Sequence, residues 1–390
     1  LAVAGGREEL VRALAGFAET GRDPAVETGR APGDSPRVAF LFTGQGSQRA
    51  GMARDLHESE PAFRESIDRS VSALGEWLRP ALLDPGTVGV GSTEVAQPAL
   101  VALELALFDL WSSWGLRPEF VVGHSVGEVA AAVAAGVFAR EDGLRLAAER
   151  GRLIGALPGG GAMASLETDA ASAAEAIARH GDRVSIAALN APDRTVISGD
   201  EDAVAEVVAR LAARGVAARR LRTSHAFHSA RMDAILEPFA AFVAGLERHP
   251  PAIAAAPPAW REASYWTEQI RQPVRFQEEL LAARARGATA FVELGPDPVL
   301  CGLGARTIGD PRVSFTPSLS ARVPGRLGIR RAAGRLFVRG VPLAGDRLAP
   351  GRFVQVPTYA FQRRRHWVAS LAGHPLLASR TSLAGGEDVF

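Results

Sequence analysis

The stretch Glu119-Phe-Val-Val-Gly-His-Ser-Val-Gly-Glu128, followed by the alanine-rich run from Val129 to Ala135, decides how this chain is read. Four residues of strand character lead into Gly123-x-Ser125-x-Gly127, and helix formers follow. That is the strand–turn–helix setting of a nucleophile elbow. An elbow holds its serine in a tight, strained turn with Oγ exposed, because glycines two residues before and after it let strand and helix approach closely. Ser125 is therefore the candidate nucleophile, set against the plainer reading of an ordinary turn serine.

Working outward, Arg37-Val-Ala-Phe-Leu-Phe42 reads as a buried strand running into Thr43-Gly-Gln-Gly-Ser-Gln48, a glycine loop that opens a helix near Ala50. Such a loop turns backbone N–H groups outward toward an anion or a reacting oxygen. It lacks the lysine of a phosphate loop, which argues against a nucleotide. Helical patterns run to Leu78 with a break at Pro61, again from Val95 to Trp114, and from about Glu141 to Leu157, a segment carrying Arg150. From Gly161 the pattern changes to strand (Ala162–Leu166), helix (Asp169–Arg179), two strands (Val184–Leu189, Thr195–Ser198), helix (Glu201–Ala213) and strand (Val216–Leu221). This β-α-β-β-α-β order predicts a ferredoxin-like insertion in a larger α/β domain. The chain re-enters that domain at Ser224-His-Ala-Phe-His-Ser229, and helix follows over Ala230–Leu246. A proline cluster, a short helix near Tyr265 and a buried strand at Ala288–Leu294 come next; beyond Ser314 the apolar periodicity thins.

The chain has 390 residues, is 47% hydrophobic and carries a formal net charge of +1, enough for a large core and more than one domain, with no sign of a nucleic-acid surface. One cysteine, Cys301, excludes an internal disulfide and any cysteine-rich metal site, so no metal is expected and a reducing cytoplasm is the default. The longest apolar run, Val95–Trp111, is interrupted by Gln97, Pro98, Glu104 and Asp109, which predicts a buried helix and no membrane span. Leu1 in place of methionine, with no evident stop signal at Phe390, reads as a piece of something longer.

A serine nucleophile needs a base. His124 adjoins Ser125, but neighbours at an elbow point in different directions. His225 and His228 directly follow the last strand of the insertion, and either reaches Ser125 if the chain returns over the elbow. Arg150 is by spacing alone a surface charge. Pointed inward, it requires an anion, and a planar carboxylate would satisfy its fork with two parallel hydrogen bonds.

Taken in order, Thr43–Gln48, Gly123–Glu128, Glu149-Arg-Gly-Arg152, Asn190-Ala-Pro-Asp193 and His225-Ala-Phe-His228 resemble the acyltransferase domain of modular polyketide synthases, related to malonyl-CoA:acyl carrier protein transacylases. The resemblance spans roughly Pro36 to Leu303. It implies an α/β-hydrolase-like core with a parallel sheet, and a Ser125-linked acyl-enzyme formed with His228 as base. It further implies an oxyanion hole from the Gln45 loop and the Val126 N–H, a carboxylate clamp at Arg150, and Asn190 close to the histidine. No acidic third member is evident; in this family a main-chain carbonyl orients the imidazole. His225-Ala-Phe-His228 and Val126 resemble the malonyl-selecting form, with Phe227 filling the space of an α-methyl branch and His225 beside it as a substrate-binding residue. Malonyl-CoA would be the donor and the phosphopantetheine thiol of an acyl carrier protein the acceptor, with no permanently bound cofactor. A thioester hydrolase with the same dyad, or a docking module without catalysis, are the alternatives.

The resemblance also divides the chain. Residues 1–35 look like the end of a ketosynthase-to-acyltransferase linker, 36–160 with 224–313 the core, and 161–223 the ferredoxin-like subdomain. Residues 314–370 resemble a post-acyltransferase linker containing Val356-Pro-Thr-Tyr-Ala-Phe-Gln362 and His366-Trp367. Residues 371–390, with Gly373-His-Pro-Leu-Leu377, resemble the start of a following dehydratase or a tail. One departure is a short segment between Pro251 and Tyr265, which affects the expected path near Arg275.

Overall fold

The computed structural model describes residues 6–23, 25–31 and 33–348, together with 381, 382, 385, 388 and 389. The chain divides into units 1–349 and 350–390. The expected linker motifs at 356–362 and 366–367, and the dehydratase-like 373–377, lie outside the described residues.

In the first unit, α1 (Arg7–Thr20) precedes β1 (Arg37–Phe42), whose residues after Arg37 are all buried. An unbroken apolar strand of this kind is covered on both faces, as a parallel sheet requires. The helix expected at Ala50 begins later, as α2 (Arg54–Ser59), because Gly51 takes φ 69° in a turn whose N–H donates to Ala81 O. Then come α3 (Pro61–Leu74), α4 (Arg79–Leu83) and α5 (Thr93–Ser113). The α5 helix is long and apolar enough to cross a membrane by composition, but it lies mostly inside the protein, where Gln97 and Glu104 are buried with it. A helix apolar on nearly all sides belongs in a core.

Next, β2 (Phe120–Gly123) pairs in parallel with β1 in register Phe42↔Gly123, and the chain turns at Ser125 into α6 (Gly127–Ala134) and then α7 (Arg140–Gly155). The insertion follows as β3 (Gly161–Leu166), α8 (Ala170–Ile177), β4 (Val184–Ala191), β5 (Arg194–Asp200), α9 (Glu201–Ala213) and β6 (Ala218–Arg220). Its antiparallel sheet has order β4-β5-β3-β6, the ferredoxin-like arrangement the strand order predicts. It has its own apolar cluster, including Leu166, Ile197, Val204 and Val207. The last strand is shorter than expected at its start, since Val216 is spent closing the turn at Gly215, where φ is 78°.

The chain then returns through α10 (Asp233–Ala244), α11 (Ala263–Arg271), α12 (Phe276–Ala285), β7 (Ala288–Leu294), α13 (Leu300–Ile308) and β8 (Ser314–Pro317). The main sheet is parallel throughout, in order β2-β1-β7-β8. It therefore runs past residue 313, where the core was expected to stop. Four residues ending in proline do not read as a strand in sequence, but Ser314 pairs with Ala290 and Thr316 with Val292. Beyond it, α14 (Gly325–Val338) buries Ile329, Ala332, Ala333 and Leu336 in the main core, a stripe masked in sequence by four interleaved arginines. A short α15 (Gly345–Leu348) follows. In the second unit, β9 (Thr381–Ser382) pairs antiparallel with β10 (Asp388–Val389).

Candidate active site

The elbow forms because both of its glycines sit where no side chain fits. A Cβ on Gly123 would lie 2.4 Å from Glu128 Cα, and one on Gly127 would lie 2.3 Å from Phe42 O. With strand and helix that close, Ser125 is driven to φ 55°, a left-handed conformation a non-glycine residue adopts only under tertiary constraint. His228 is the other non-glycine residue with positive φ among the described residues, at 56°. The two strained residues meet: Ser125 Oγ lies 2.8 Å from His228 Nε2.

The imidazole is oriented from its other side by Gln272 O, which accepts from Nδ1 at 2.8 Å. With its proton on Nδ1, the ring presents Nε2 as an acceptor for the serine hydroxyl. Burial, and then the positive charge of Arg150, push His228 down to about 3, so the ring is neutral across the physiological range. His225 does not come to this place. Its Nε2 turns to Leu157 O at 3.2 Å, and it does not line the cleft that Ser125 and His228 share. Three residues of chain in a tight turn aim the two histidines apart, and what His225 reaches is the edge of the Phe227 ring.

Arg150 points inward. It is 3% exposed, and no carboxylate among the described residues lies within ion-pair distance of it. Its Nη1 donates to Gln97 Oε1 at 2.7 Å, its Nη2 to Ser125 Oγ at 3.2 Å, and its buried Nε has no acceptor. Burial lowers its pKa to about 10, partly opposed by the charge of Glu128. The guanidinium stays charged and is buried without a contacting counter-ion, an arrangement that favours an anion beside it. Gln97 is held in turn: its Nε2 donates to Thr93 Oγ1 at 2.7 Å, and Thr93 Oγ1 donates to Gln45 Oε1 at 3.0 Å. A polar chain thus links the glycine loop to Arg150.

Around the elbow, neither the Gln45 nor the Val126 N–H has an acceptor among the described residues. His124 Nε2 lies 2.8 Å from Asn190 Oδ1 on β4, which ties the elbow to the insertion. From α11, Gln269 Nε2 donates to Ser125 O at 2.8 Å and to Glu128 Oε1 at 3.2 Å, while the Tyr265 hydroxyl donates to Glu128 Oε2. One helix and the residue just beyond it therefore hold the main chain of the serine and the ring of the histidine together. Gln97 and Gln269 escaped sequence reasoning, and of the main-chain carbonyl that the resemblance implied only the residue, Gln272, was missing. For Gln97 there was a signal, since a glutamine inside an apolar helix must find a partner once buried. For which residue supplies the main-chain acceptor, none exists.

These groups open into a cleft of about 1010 Å³ between the carboxyl ends of the main sheet and the antiparallel sheet, the usual place for a ligand in an α/β fold. Ser125, His228, Gln45, Arg150, Asn190 and Phe227 all line it, with Phe227 8% exposed. Among the described residues no cluster of three or more His, Cys, Asp or Glu is placed to hold a metal ion.

A strained serine beside a histidine oriented by a carbonyl suits acyl transfer, and the comparisons give the class: an acyltransferase domain. The chain belongs to the acyl transferase domain family, whose profile matches residues 39–341. It is 39% identical over 398 residues to a type I polyketide synthase of phenolphthiocerol synthesis from Mycobacterium marinum, covering 98% of this chain and 19% of that protein. The chain thus spans about a fifth of that relative. Among solved structures it is similar to the acyltransferase domain from the second module of the salinomycin polyketide synthase, with 39% identity and a TM-score of 0.85 over 93% of this chain and 88% of that one. It is also similar to a malonyl-transacylase in complex with its type II polyketide synthase acyl-carrier protein, with 29% identity and a TM-score of 0.68 over 73% of this chain and 97% of that one.

Proposed function

We propose that this domain transfers a malonyl group from malonyl-CoA to the phosphopantetheine thiol of an acyl carrier protein through a malonyl ester on Ser125. The observation that carries the reading is the position of Ser125 Oγ, 2.8 Å from the base and 3.2 Å from a buried, unpaired guanidinium. The hydroxyl proton passes to His228 Nε2 as Oγ bonds the thioester carbon. The oxyanion is met by the N–H groups of Gln45 and Val126. Collapse breaks the C–S bond, and the departing thiolate takes the proton back from His228. The carrier thiol then gives its proton to His228 and attacks the ester carbon; the ester C–O bond breaks and His228 returns the proton to Ser125 Oγ, so the two half-reactions are one route run in opposite directions.

Arg150 holds the free carboxylate in this reading, which separates malonyl from acetyl donors. Phe227 crowds the position of an α-methyl branch, a preference worth about 1–3 kcal/mol. The carrier, and ketosynthase and dehydratase neighbours in the same synthase, are the partners this reading expects. Intact-mass detection of a malonyl adduct on incubation with malonyl-CoA, lost in Ser125→Ala, tests it. An adduct retained in that variant refutes the assignment, and release of free malonate in preference to malonyl-carrier would make the domain a hydrolase.

A further inference from the structure

Before any substrate arrives, Ser125 Oγ already has two partners. It gives its proton toward His228 and accepts an N–H from Arg150 Nη2. The second contact withdraws electron density from the oxygen that must attack, and it sets a full positive charge within reach of the imidazole that must become positive. The first weakens the oxygen as a nucleophile, and the second opposes protonation of the imidazole. Nothing in the contacts of the guanidinium relieves them: the carboxylate whose charge acts on it, Glu128, is occupied by Tyr265 and Gln269.

The fork of Arg150 shows what would. Nη1 is fixed on Gln97, whereas Nη2 is held only by the serine hydroxyl, and Nε is buried and unpartnered. In a planar guanidinium Nε and Nη2 form one edge with parallel N–H bonds, the edge that takes a carboxylate in bidentate fashion. The unpartnered Nε thus shares its edge with Nη2, the same nitrogen that touches the nucleophile.

We propose that the free carboxylate of the acyl donor switches the dyad on: by occupying the Nε/Nη2 edge of Arg150 it lifts the guanidinium donor from Ser125 Oγ and cancels the charge that faces His228. The proposal rests on the malonyl-transfer reading above and deepens it, since the carboxylate becomes an activator of the chemistry as well as a handle for binding. The proton balance is unchanged: Oγ–H goes to Nε2 as the ester bond forms, and from Nε2 to the departing sulfur. The charged or titratable groups facing His228 are Arg150 from α7 and His124 from the elbow, with Glu128 of α6 acting through Arg150. Neutralising Arg150 thus raises the basicity of His228, in line with the burial-and-charge depression already described. At an effective dielectric of about 20, a unit charge some 6 Å away is worth about two pH units on the base.

The test uses the full chain and follows acyl-Ser125 formation by quenched-flow intact mass, with malonyl-CoA, acetyl-CoA and 4-nitrophenyl acetate as donors. Sodium formate supplies the missing carboxylate in trans, with formamide and sodium chloride as neutral-isostere and ionic-strength controls. The expected result is that formate, and neither control, accelerates acetylation of the wild type by about tenfold or more, an effect absent in Arg150→Gln. The acid limb of the rate profile is also expected to lie about one to two pH units higher for malonyl loading than for acetyl loading without formate. Acetylation that formate does not raise, whether slow or undetectable, overturns the proposal, as does a shared acid limb for the two donors. Failure of malonyl-CoA to load Ser125 at all strikes the functional reading itself, so the two failures are told apart by the malonyl arm alone.

Discussion

Replacing Gln97 by Glu puts a carboxylate where Arg150 now has a neutral acceptor. Gln97 Oε1 is 2.7 Å from Nη1, so the new charge meets the guanidinium without rearrangement, and the Thr93 hydroxyl turns from Gln45 to donate to it. Two unit charges about 4 Å apart at an effective dielectric of about 20 attract by roughly 4 kcal/mol, of which desolvation of the new carboxylate offsets a large part. A charge-assisted hydrogen bond nets about 1.5–3 kcal/mol, and the incoming substrate carboxylate loses a comparable amount by meeting a cation already paired. Malonyl loading, measured as kcat/KM by radiolabel transfer, is therefore expected to fall about ten- to a hundredfold relative to acetyl loading, while the melting temperature holds or rises. The reverse would refute the reasoning. If malonyl and acetyl loading fall equally, or if the protein is destabilised, Arg150 is not the unpaired anion site described here.

Three further outcomes are expected. Gly127→Ala places a methyl group 2.3 Å from the Phe42 carbonyl, where backbone on both sides prevents relief, and is expected to cost several kcal/mol, about 3 or more, with loss of Ser125 acylation; an unchanged denaturation midpoint would sink the elbow argument. His228 is held well below its unfolded value, so the unfolded chain binds the extra proton and stability drains as pH falls from about 6.5 toward about 3. At about 1.4 kcal/mol per unit this is a loss of a few kcal/mol that His228→Gln should visibly flatten in urea titrations across that range. Phe227→Ala opens the wall beside His228, and competition between malonyl-CoA and methylmalonyl-CoA should shift toward the branched donor by about tenfold or more; an unmoved ratio would clear Phe227 of any part in selection.

The parts of the fold that were legible are those in which local pattern and tertiary need coincide. The βαββαβ order could be read because the helices and the first three strands of the insertion are periodic and bounded by turn residues, and because its small apolar cluster belongs to it alone. The elbow could be read because the two close approaches at Gly123 and Gly127 leave glycine as their signature. β8 and α14 were not legible, for the opposite reason. A four-residue strand has no period, and an arginine-rich helix shows its apolar stripe only when something packs against it.

At the site, spacing made the residue types legible, while their roles came only with the family resemblance. Sequence alone determined that a serine stood at a strained turn, that histidines re-entered after the insertion and that an arginine lay on a nearby helix, since these follow from motif spacing within single segments. Which of His225 and His228 reaches Ser125, that Arg150 faces inward without a contacting carboxylate, and that Gln97, Gln269 and the Gln272 carbonyl hold the three in place were decided by tertiary structure. Each depends on side chains or carbonyls from segments tens of residues or more apart meeting within about 3 Å, a distance set by how the helices pack on the sheet and by nothing in the order of residues along any one of them.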